Sequence, residues 1–395
     1  MLQNILMFIL GAFVFAAGVL LVGETLYSAI RTFVLPRSAP DALTRFWFRR
    51  IRWCFGVRLK HVTDFERTDS ILALYAPVTL VSMPFVWLCL VMFGYTAIYW
   101  ALGALPTGAE RFSIEAVLYA LRLSGSSMLT LGVLSQDGAG FALLMFSEAA
   151  IGLILVALLI AYLPTLYSAF SKREALVSLL EVRTGAPPSP VEMFRRIFRF
   201  AGVDDLKVLW LEWELWFTEL EETHTSLPTL AFFRSQQPTR SWITAAGIVL
   251  DAAALQLSAM DLEDDGRAAL TIRAGFLALR RISDFFGIRY DADPQPTDKI
   301  SVTRAEFDAV YDELAALELF KMQPDREQAW RDFAGWRVNY DVPLVALAEL
   351  VVAPYAPWSS DRGIRRHQPR LFERLRAKKA AHRQEAVTET QAVEG

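Results

Sequence analysis

The chain has 395 residues, a formal net charge of -3 and 54% hydrophobic residues, which is more than an average soluble domain carries. The near-zero charge gives no basis for a nucleic-acid partner, and the cysteines and histidines show neither a zinc-binding spacing nor an expected disulfide. The apolar excess lies before about residue 170, which predicts a membrane region followed by a water-soluble region.

Three apolar stretches are long enough to cross a membrane, which takes about 20 residues. Residues 5–23 carry no charge, follow no Lys or Arg and end in no small-residue cleavage site, so we predict an anchor here and not a signal peptide. Residues 71–103 form the second stretch and are also uncharged. Residues 141–170 form the third and contain a single charge.

The orientation follows from the basic residues. Only Arg111 and Arg122 lie between the second and third stretches, whereas nine basic residues lie between the first and second. These nine are Arg31, Arg37, Arg45, Arg49, Arg50, Arg52, Arg58, Lys60 and Arg67. We therefore predict an inner (plasma) membrane protein with its N-terminus outside and everything after residue 171 in the cytoplasm. Residues 46–53 mix aromatic residues with arginine, which predicts a helix in the membrane interface.

The segment between the second and third stretches predicts a re-entrant loop. Residues 112–123 have helical spacing with Ser113 as N-cap, and a Gly/Ser/Thr-rich stretch, residues 124–133, follows. That stretch is too short to span and too apolar for a simple solvent loop. Non-helical backbone at membrane depth is tolerated only where protein or a water-filled cavity surrounds it. We therefore predict a pore helix and a filter loop, although small residues also serve in plain helix packing.

The candidate selectivity filter is Thr130, Leu131, Gly132 and Val133. Potassium filters replace the hydration shell of the ion with backbone carbonyls from four Thr-Val-Gly-Tyr-Gly segments, and glycine permits the backbone conformation that this needs. Here Val133 and Leu134 stand at the tyrosine and second glycine positions. Weak discrimination between potassium and sodium is therefore expected.

These residues give the chain a resemblance to the pore domain of prokaryotic potassium channels, closest to a bacterial family of potassium-channel-like membrane proteins. That family carries a Gly-Ser-Ser-x-x-Thr-Leu-Gly filter region and a third span ending in Tyr-Leu-Pro-Thr-x-Tyr-Ser. The matching segments here are residues 125–132 and 162–168. The resemblance covers residues 70 to 190 well and implies a tetrameric pore for potassium or other monovalent cations.

Four further residues are candidates for supporting the filter or its outer mouth. Glu148 lies inside the third span, where a charged group usually faces a cavity or a partner, so we predict a protonated side chain hydrogen-bonded to Ser126 or Ser127. Asp137 follows the filter and would form an acidic ring in an oligomer.

Two residues of the third span are candidates for gating. Gly152 lies about midway, where a glycine would let the helix bend. Pro164 interrupts the hydrogen-bond pattern near the predicted cytoplasmic end. Both residue types are also frequent in membrane helices generally, so neither decides the assignment alone.

The soluble region is predicted to be a cytoplasmic helical bundle. Apolar residues recur at helical spacing through residues 191–360, after a Gly/Pro-rich linker at 184–190, and residues 361–395 form a basic, polar tail predicted to be disordered. Glu221 and His224 have the spacing of a di-iron bundle ligand pair, but the second pair that such a site requires is missing.

The predicted fold class is therefore an all-α membrane protein with three transmembrane helices, a re-entrant pore helix and loop, and a helical domain. Its units are an N-terminal anchor with interfacial helix (1–69), a pore domain (70–183), the linker, the domain and the tail. The predicted function is a pore-loop cation channel subunit that needs no cofactor or bound metal and is not an enzyme. Two alternatives stay open: a membrane-anchored scaffold whose domain binds a cytoplasmic partner and, with less support, an enzyme using Glu221 and His224.

Overall fold

The computed structural model describes residues 2–33, 42–59, 65–106, 110–200, 202–262 and 266–362. These residues form helices and, apart from one isolated bridge between Met260 and Met322, no β-structure. The helices are α1 (Leu2–Phe33), α2 (Ala42–Leu59), α3 (Phe65–Ala73), α4 (Tyr75–Ala101), α5 (Ile114–Met128), α6 (Ala139–Thr184), α7 (Pro190–Phe200), α8 (Val203–Ser226), a 3-10 turn (Pro228–Phe232), α9 (Trp242–Ala259), α10 (Arg267–Phe286), α11 (Arg304–Ala315), α12 (Arg326–Arg337) and α13 (Asp341–Val351). The predicted tail lies outside the described residues except for its first two.

Within the described ranges, four helical segments are long and apolar enough to cross a membrane: Ile5–Thr32, Phe65–Ala101, Ala139–Thr184 and Trp242–Ala259. The first three contain the three predicted spans, except that the second helix ends at Ala101 and not at residue 103. The fourth, α9, belongs to the predicted soluble domain, and 94% of its apolar window is buried inside the protein. Because α7, α10, α12 and α13 pack around α9, its apolar surface is covered by protein and the hydropathy reflects a domain core.

Helices α1 and α4 run antiparallel in close contact. Gly18 and Gly94 face each other so tightly that a Cβ on Gly18 would lie 2.7 Å from the Gly94 carbonyl oxygen. Small residues let membrane helices approach in this way, and close packing replaces the hydrophobic driving force that is missing in lipid. Further along the pair, the Trp87 indole donates a hydrogen bond of 3.1 Å to the Ser28 hydroxyl.

The two prolines of the second span occupy different positions. The chain turns at Leu74 between α3 and α4, which places Pro77 in the first turn of α4, where its missing N–H removes no helical hydrogen bond. Pro84 lies inside α4, and the helix continues through it to Ala101.

Helix α6 connects the apolar region to the helical domain without a break. Its 46 residues correspond to about 69 Å at 1.5 Å per residue. The helix continues through Pro164 and ends at Thr184, where Gly185 adopts a φ of 77°. The predicted continuation of the third span through residue 183 is confirmed.

The chain around the 3-10 turn joins the helical domain to the apolar helices. Arg173 of α6 is buried and donates hydrogen bonds to the carbonyl oxygens of Leu230 (2.8 Å) and Phe233 (2.7 Å). Arg234 pairs with Asp69 of α3. The basic helix α2 also reaches the domain, since Arg52 donates to the Leu350 carbonyl at 3.1 Å. Helix α2 and the domain therefore lie at the same end of the apolar helices, which we call the domain end.

Candidate functional site

The candidate site is built by α5 and the segment that follows it, between α4 and α6. Ser113 is the N-cap of α5, and its hydroxyl accepts a hydrogen bond of 3.2 Å from the Ala116 N–H, as predicted. The helix does not end near residue 123, however. It continues through Gly125, Ser126 and Ser127 to Met128, so the prediction of an irregular stretch from residue 124 is wrong.

The reason is tertiary contact with α4. The Ser124 hydroxyl lies 3.0 Å from the Met92 carbonyl oxygen, and a Cβ on Gly125 would lie 3.7 Å from the Met92 sulfur. Serine and glycine are poor helix formers in water, but here their small side chains allow the C-terminal turn of α5 to lie directly on α4. The non-helical segment accordingly begins at Leu129 and ends at Gly138; we call it the loop.

Contacts with α6 fix the depth that α5 reaches. A Cβ on Gly152 would collide with the carbonyl oxygen of Met128, the last residue of α5. Gly152 lies about 20 Å along α6 from Ala139, at 1.5 Å per residue. The rings of Phe141 and Tyr99 stack with centroids 6.4 Å apart, so the start of α6 lies level with the end of α4. The chain thus descends along α5 and returns through the loop.

Glu148 is fully buried where α4, α5 and α6 meet. Its Oε2 accepts a hydrogen bond of 2.9 Å from the Tyr99 hydroxyl, and its Oε1 contacts the Ser124 hydroxyl. The predicted partners, Ser126 and Ser127, are wrong because α5 is helical past residue 123, which directs Ser124 towards α6. The Ser127 hydroxyl instead bonds the Leu123 carbonyl at 3.0 Å.

The four candidate filter residues lie in the exposed part of the loop. Leu131 and Val133 are 62% and 71% exposed. Thr130 and Gly132 have φ values of 54° and 66°, in the left-handed region that favours glycine. Leu134, at the second glycine position, does not have positive φ, so Thr130 is the non-glycine residue of the loop that adopts this unfavourable conformation.

Two hydrogen bonds hold the returning loop against α5. The Leu134 N–H donates to the Ser126 hydroxyl at 3.0 Å. The Tyr119 hydroxyl donates to the Gln136 side-chain oxygen at 3.1 Å. At the start of the loop, the Thr130 N–H donates to the Ser127 carbonyl at 3.0 Å and the Leu131 N–H to the Ser126 carbonyl at 2.9 Å. Residues 130–133 therefore form an exposed projection that is attached to α5 at both ends.

The remaining candidates are separate from this projection. Asp137 is exposed at the end of the loop. Gly152 is buried against Met128, which accounts for the glycine by close approach of two helices. Pro164 is exposed far down α6 and does not interrupt the helix.

Sequence motifs did not identify four residues that contact Glu148 or hold the loop: Tyr99, Ser124, Tyr119 and Gln136. For Tyr99 and Ser124 the signal was chemical: a carboxyl group within a span needs hydrogen-bonding partners on the helices that surround it. Tyr119 and Gln136 bond each other, and no signal in the sequence pointed to that contact. Tyr99 and Ser124 are polar residues of the neighbouring helices. Choosing them over Ser126 and Ser127 required the register of α5 on α6.

The structure does not bring Glu221 and His224 into one site. Glu221 pairs with Arg281 at the surface. His224 is fully buried, with Nδ1 3.0 Å from the Leu220 carbonyl oxygen and Nε2 3.3 Å from the Arg173 guanidinium. Burial, reinforced by the charge of Arg173, holds the pKa of His224 well below its usual range. Among the residues that the structure describes, no three His, Cys, Asp or Glu side chains are grouped to hold a metal ion.

Neither a protein-family model, nor a curated protein, nor a solved structure matches this chain. The chemistry available at the site comes from its own groups: backbone carbonyls of the exposed loop, the Thr130 hydroxyl, and a buried carboxyl group that supports α5 from behind.

Proposed function

We propose that the chain is one subunit of a pore-loop cation channel, in which four copies surround one axis and residues 130–133 line the path of potassium or other monovalent cations. The observation that carries the proposal is the contact of Met128 with Gly152, which puts the end of α5 about 20 Å along α6. In a hydrocarbon layer about 30 Å thick, the loop then begins at membrane depth.

Exposed backbone at that depth needs a polar environment. Residues 129–133 are all exposed in the single chain. The N–H groups of residues 129–131 bond the end of α5, but the carbonyls of residues 130–133 have no hydrogen-bond partner among the described residues. Unpaired carbonyls facing lipid would each cost several kcal/mol. Four copies arranged around the loop would enclose these groups in a water-filled cavity. The membrane-anchored scaffold alternative leaves them facing lipid.

The loop favours cations because its exposed polar groups are mainly carbonyl and hydroxyl oxygens. The left-handed φ of Gly132 and Thr130 is compatible with carbonyls turned towards one side of the loop. Val133 and Leu134 supply neither a tyrosine anchor nor a second glycine, so fewer carbonyl rings can be held in register. We therefore expect cation flux with weak preference for potassium over sodium.

We propose that the protein lies in the plasma (inner) membrane. In the proposed orientation the N-terminus is outside the cell and the helical domain is in the cytoplasm. The support for this orientation is the arginine-rich segment between the first two spans, together with the location of α2 and the domain at one end. Reporter fusions after Gly23 and Gly395 test it, and an external signal from the Gly395 fusion would overturn it.

The test of function is ion flux in reconstituted vesicles, comparing Gly132→Ala with Gly140→Ala. A Cβ would meet nothing within 4 Å at either glycine, but only Gly132 has positive φ. Alanine at Gly132 opposes the local backbone at a cost of about 1–2 kcal/mol, so flux should fall sharply while the fold and assembly remain. Gly140→Ala should conduct like the wild type.

Bi-ionic reversal potentials measured on the same vesicles give the selectivity. A potassium preference comparable to that of a Thr-Val-Gly-Tyr-Gly filter would contradict the selectivity argument alone. Unchanged flux in Gly132→Ala would remove residues 130–133 from the ion path. No flux from folded wild-type protein would favour the scaffold alternative.

A further inference from the structure

Helix α6 has a strip of exposed residues that extends from the apolar region into the helical domain; within it only Ser178 is half-buried, because Arg240 donates to its hydroxyl at 3.0 Å. At 100° per residue the exposed members of the strip fall within a narrow sector of the helix. They are Leu153, Ile160, Pro164, Ser171, Ala175 and Val182. The side that packs on α4 and α5 includes Glu148 and Gly152 and is buried.

The lower end of this strip borders an apolar patch on the domain. On α6, Leu179 and Val182 are 40% and 69% exposed. On α8, Val208, Leu211 and Leu215 are 53%, 44% and 60% exposed. We call these five residues the α6–α8 patch. The ion pair of Arg183 with Glu212, 3.4 Å long, joins the two helices between them.

Contact with lipid does not account for the exposure of these apolar residues. Val182 lies about 14 Å beyond the buried Arg173 along α6, at 1.5 Å per residue. Arg173 is fixed to the domain through Leu230 and Phe233, so the patch belongs to the domain and not to the membrane-spanning part. Clustered exposed apolar residues on a soluble surface mark an interaction site.

We propose that the α6–α8 patch is covered by a second copy of this chain. The inference rests on the proposed assembly around α6. In the proposed assembly, the exposed strip of α6 faces the axis and the other copies of the chain within the membrane. Because α6 is one continuous helix, the same strip faces those copies at the level of the helical domain. The charges of Arg183 and Glu212, which lie between the two halves of the patch, are paired with each other.

The test introduces one charge at each half of the patch in the full-length protein: Val182→Asp and Leu215→Glu. The control is Tyr355→Glu, because Tyr355 is 65% exposed on the domain but lies outside the patch. Light scattering in detergent across a dilution series measures the tetramer fraction, and circular dichroism checks the fold. An unpaired charge buried between copies should raise the concentration of half-dissociation roughly tenfold or more, and the control should not change it.

A second measurement does not depend on destabilisation. In a chain carrying Cys54→Ser and Cys89→Ala, the Val182→Cys variant is treated with a flexible bifunctional thiol reagent and should give a covalent dimer, whereas Tyr355→Cys should not. If the wild type is tetrameric but both patch variants match the control and no cross-link forms, the inference is overturned and the channel proposal stands. If the wild type does not oligomerise at all, both are overturned.

Discussion

Two fully buried carboxyl groups in this chain, Glu148 in the apolar helices and Asp251 in the helical domain, have different kinds of partner. Among the described residues, the partners of Glu148 are the hydroxyl groups of Tyr99 and Ser124. Asp251 pairs with the guanidinium of Arg337 and accepts a hydrogen bond of 2.9 Å from Tyr340. A neutral acid is satisfied by hydroxyl groups, whereas a buried ionised one needs an opposite charge. The helical domain therefore contains a buried charge pair, and we expect the contact between the apolar helices to be neutral.

The two regions also pack differently. The apolar helices approach through glycines, Gly18 on Gly94 and Gly152 on Met128, with backbone atoms in contact. The domain core is filled by large rings, such as Trp213 and Trp216 with centroids 4.7 Å apart. Water drives the burial of large apolar side chains in the domain, whereas helices in lipid gain only from close contact.

The largest expected effect is at Arg337, which is fully buried and contacts Asp251, Asp341 and the Trp358 carbonyl. Arg337→Leu leaves two carboxylates buried without a cation and should cost about 3–5 kcal/mol of domain stability. Arg331→Leu, on the exposed side of the same helix, should cost less than about 0.5 kcal/mol. Denaturant unfolding followed by tryptophan fluorescence measures both. Equal effects would mean that the charge pair contributes nothing specific.

A smaller effect is expected from alanine at Gly152. Its Cβ would meet the Met128 backbone, which cannot move as a flexible side chain can, so the cost should be about 1–3 kcal/mol, with weaker attachment of α5 to α6. Gly140→Ala is again the matched control. Thermal unfolding in detergent gives the stability. If Gly152→Ala keeps full stability and alters only channel opening, the hinge interpretation gains support over close packing.

His224 extends the comparison from buried acids to a buried base. Its pKa is held well below the ordinary value of about 6.5, so below pH 6.5 the unfolded chain binds a proton that the folded chain does not. Stability should therefore be constant above that pH and fall as the pH drops, at up to about 1.4 kcal/mol per pH unit. His224→Gln, whose amide oxygen can still accept from Arg173, should flatten the dependence between pH 7 and 5. An identical profile would assign the acid sensitivity to other groups.

Sequence reasoning was most successful where a local pattern decides the structure. The three apolar stretches predicted α1, α4 and the upper part of α6 because a span is defined by length and hydropathy alone. The N-cap role of Ser113 was predictable because its hydrogen bond to the Ala116 N–H joins residues within a single helical turn. Helix α9 shows the limit: its composition fits a span, and only the helices packed around it show that it is a domain core.

The details of the site depend on contacts between distant segments. The Gly-Ser-Ser stretch suggested irregular backbone, but contact with Met92 keeps residues 124–128 helical. That five-residue extension changes which serine meets Glu148. Sequence could indicate that a buried carboxyl needs a partner on a neighbouring helix. It could not show which of the serines in residues 124–127 supplies that partner, because each residue along a helix is rotated by 100° and the register of α5 on α6 decides which one faces Glu148.

The smallest expected effect, and the sharpest test of the comparison, is Glu148→Gln. The Ser124 hydroxyl has one hydrogen but lies near two acceptors, the Met92 carbonyl and Glu148 Oε1. If Ser124 donates to Met92, a protonated Glu148 can donate to Ser124 and accept from Tyr99, which satisfies every group. Glutamine reproduces this pattern, with its amide N–H donating to Ser124 and its oxygen accepting from Tyr99.

Glu148→Gln should therefore change stability by less than about 1 kcal/mol and retain most of the flux. Glu148→Ala leaves the Tyr99 and Ser124 hydroxyls without this partner and should cost about 1–3 kcal/mol, with loss of the open pore. At Asp251 the amide should not substitute so well, because Asp251→Asn removes a charge that faces Arg337. Thermal unfolding and vesicle flux of the three variants decide the matter. If Glu148→Gln abolishes flux as fully as Glu148→Ala, Glu148 acts as an ionised carboxylate. The proposed difference between a neutral Glu148 and an ionised Asp251 would then be wrong.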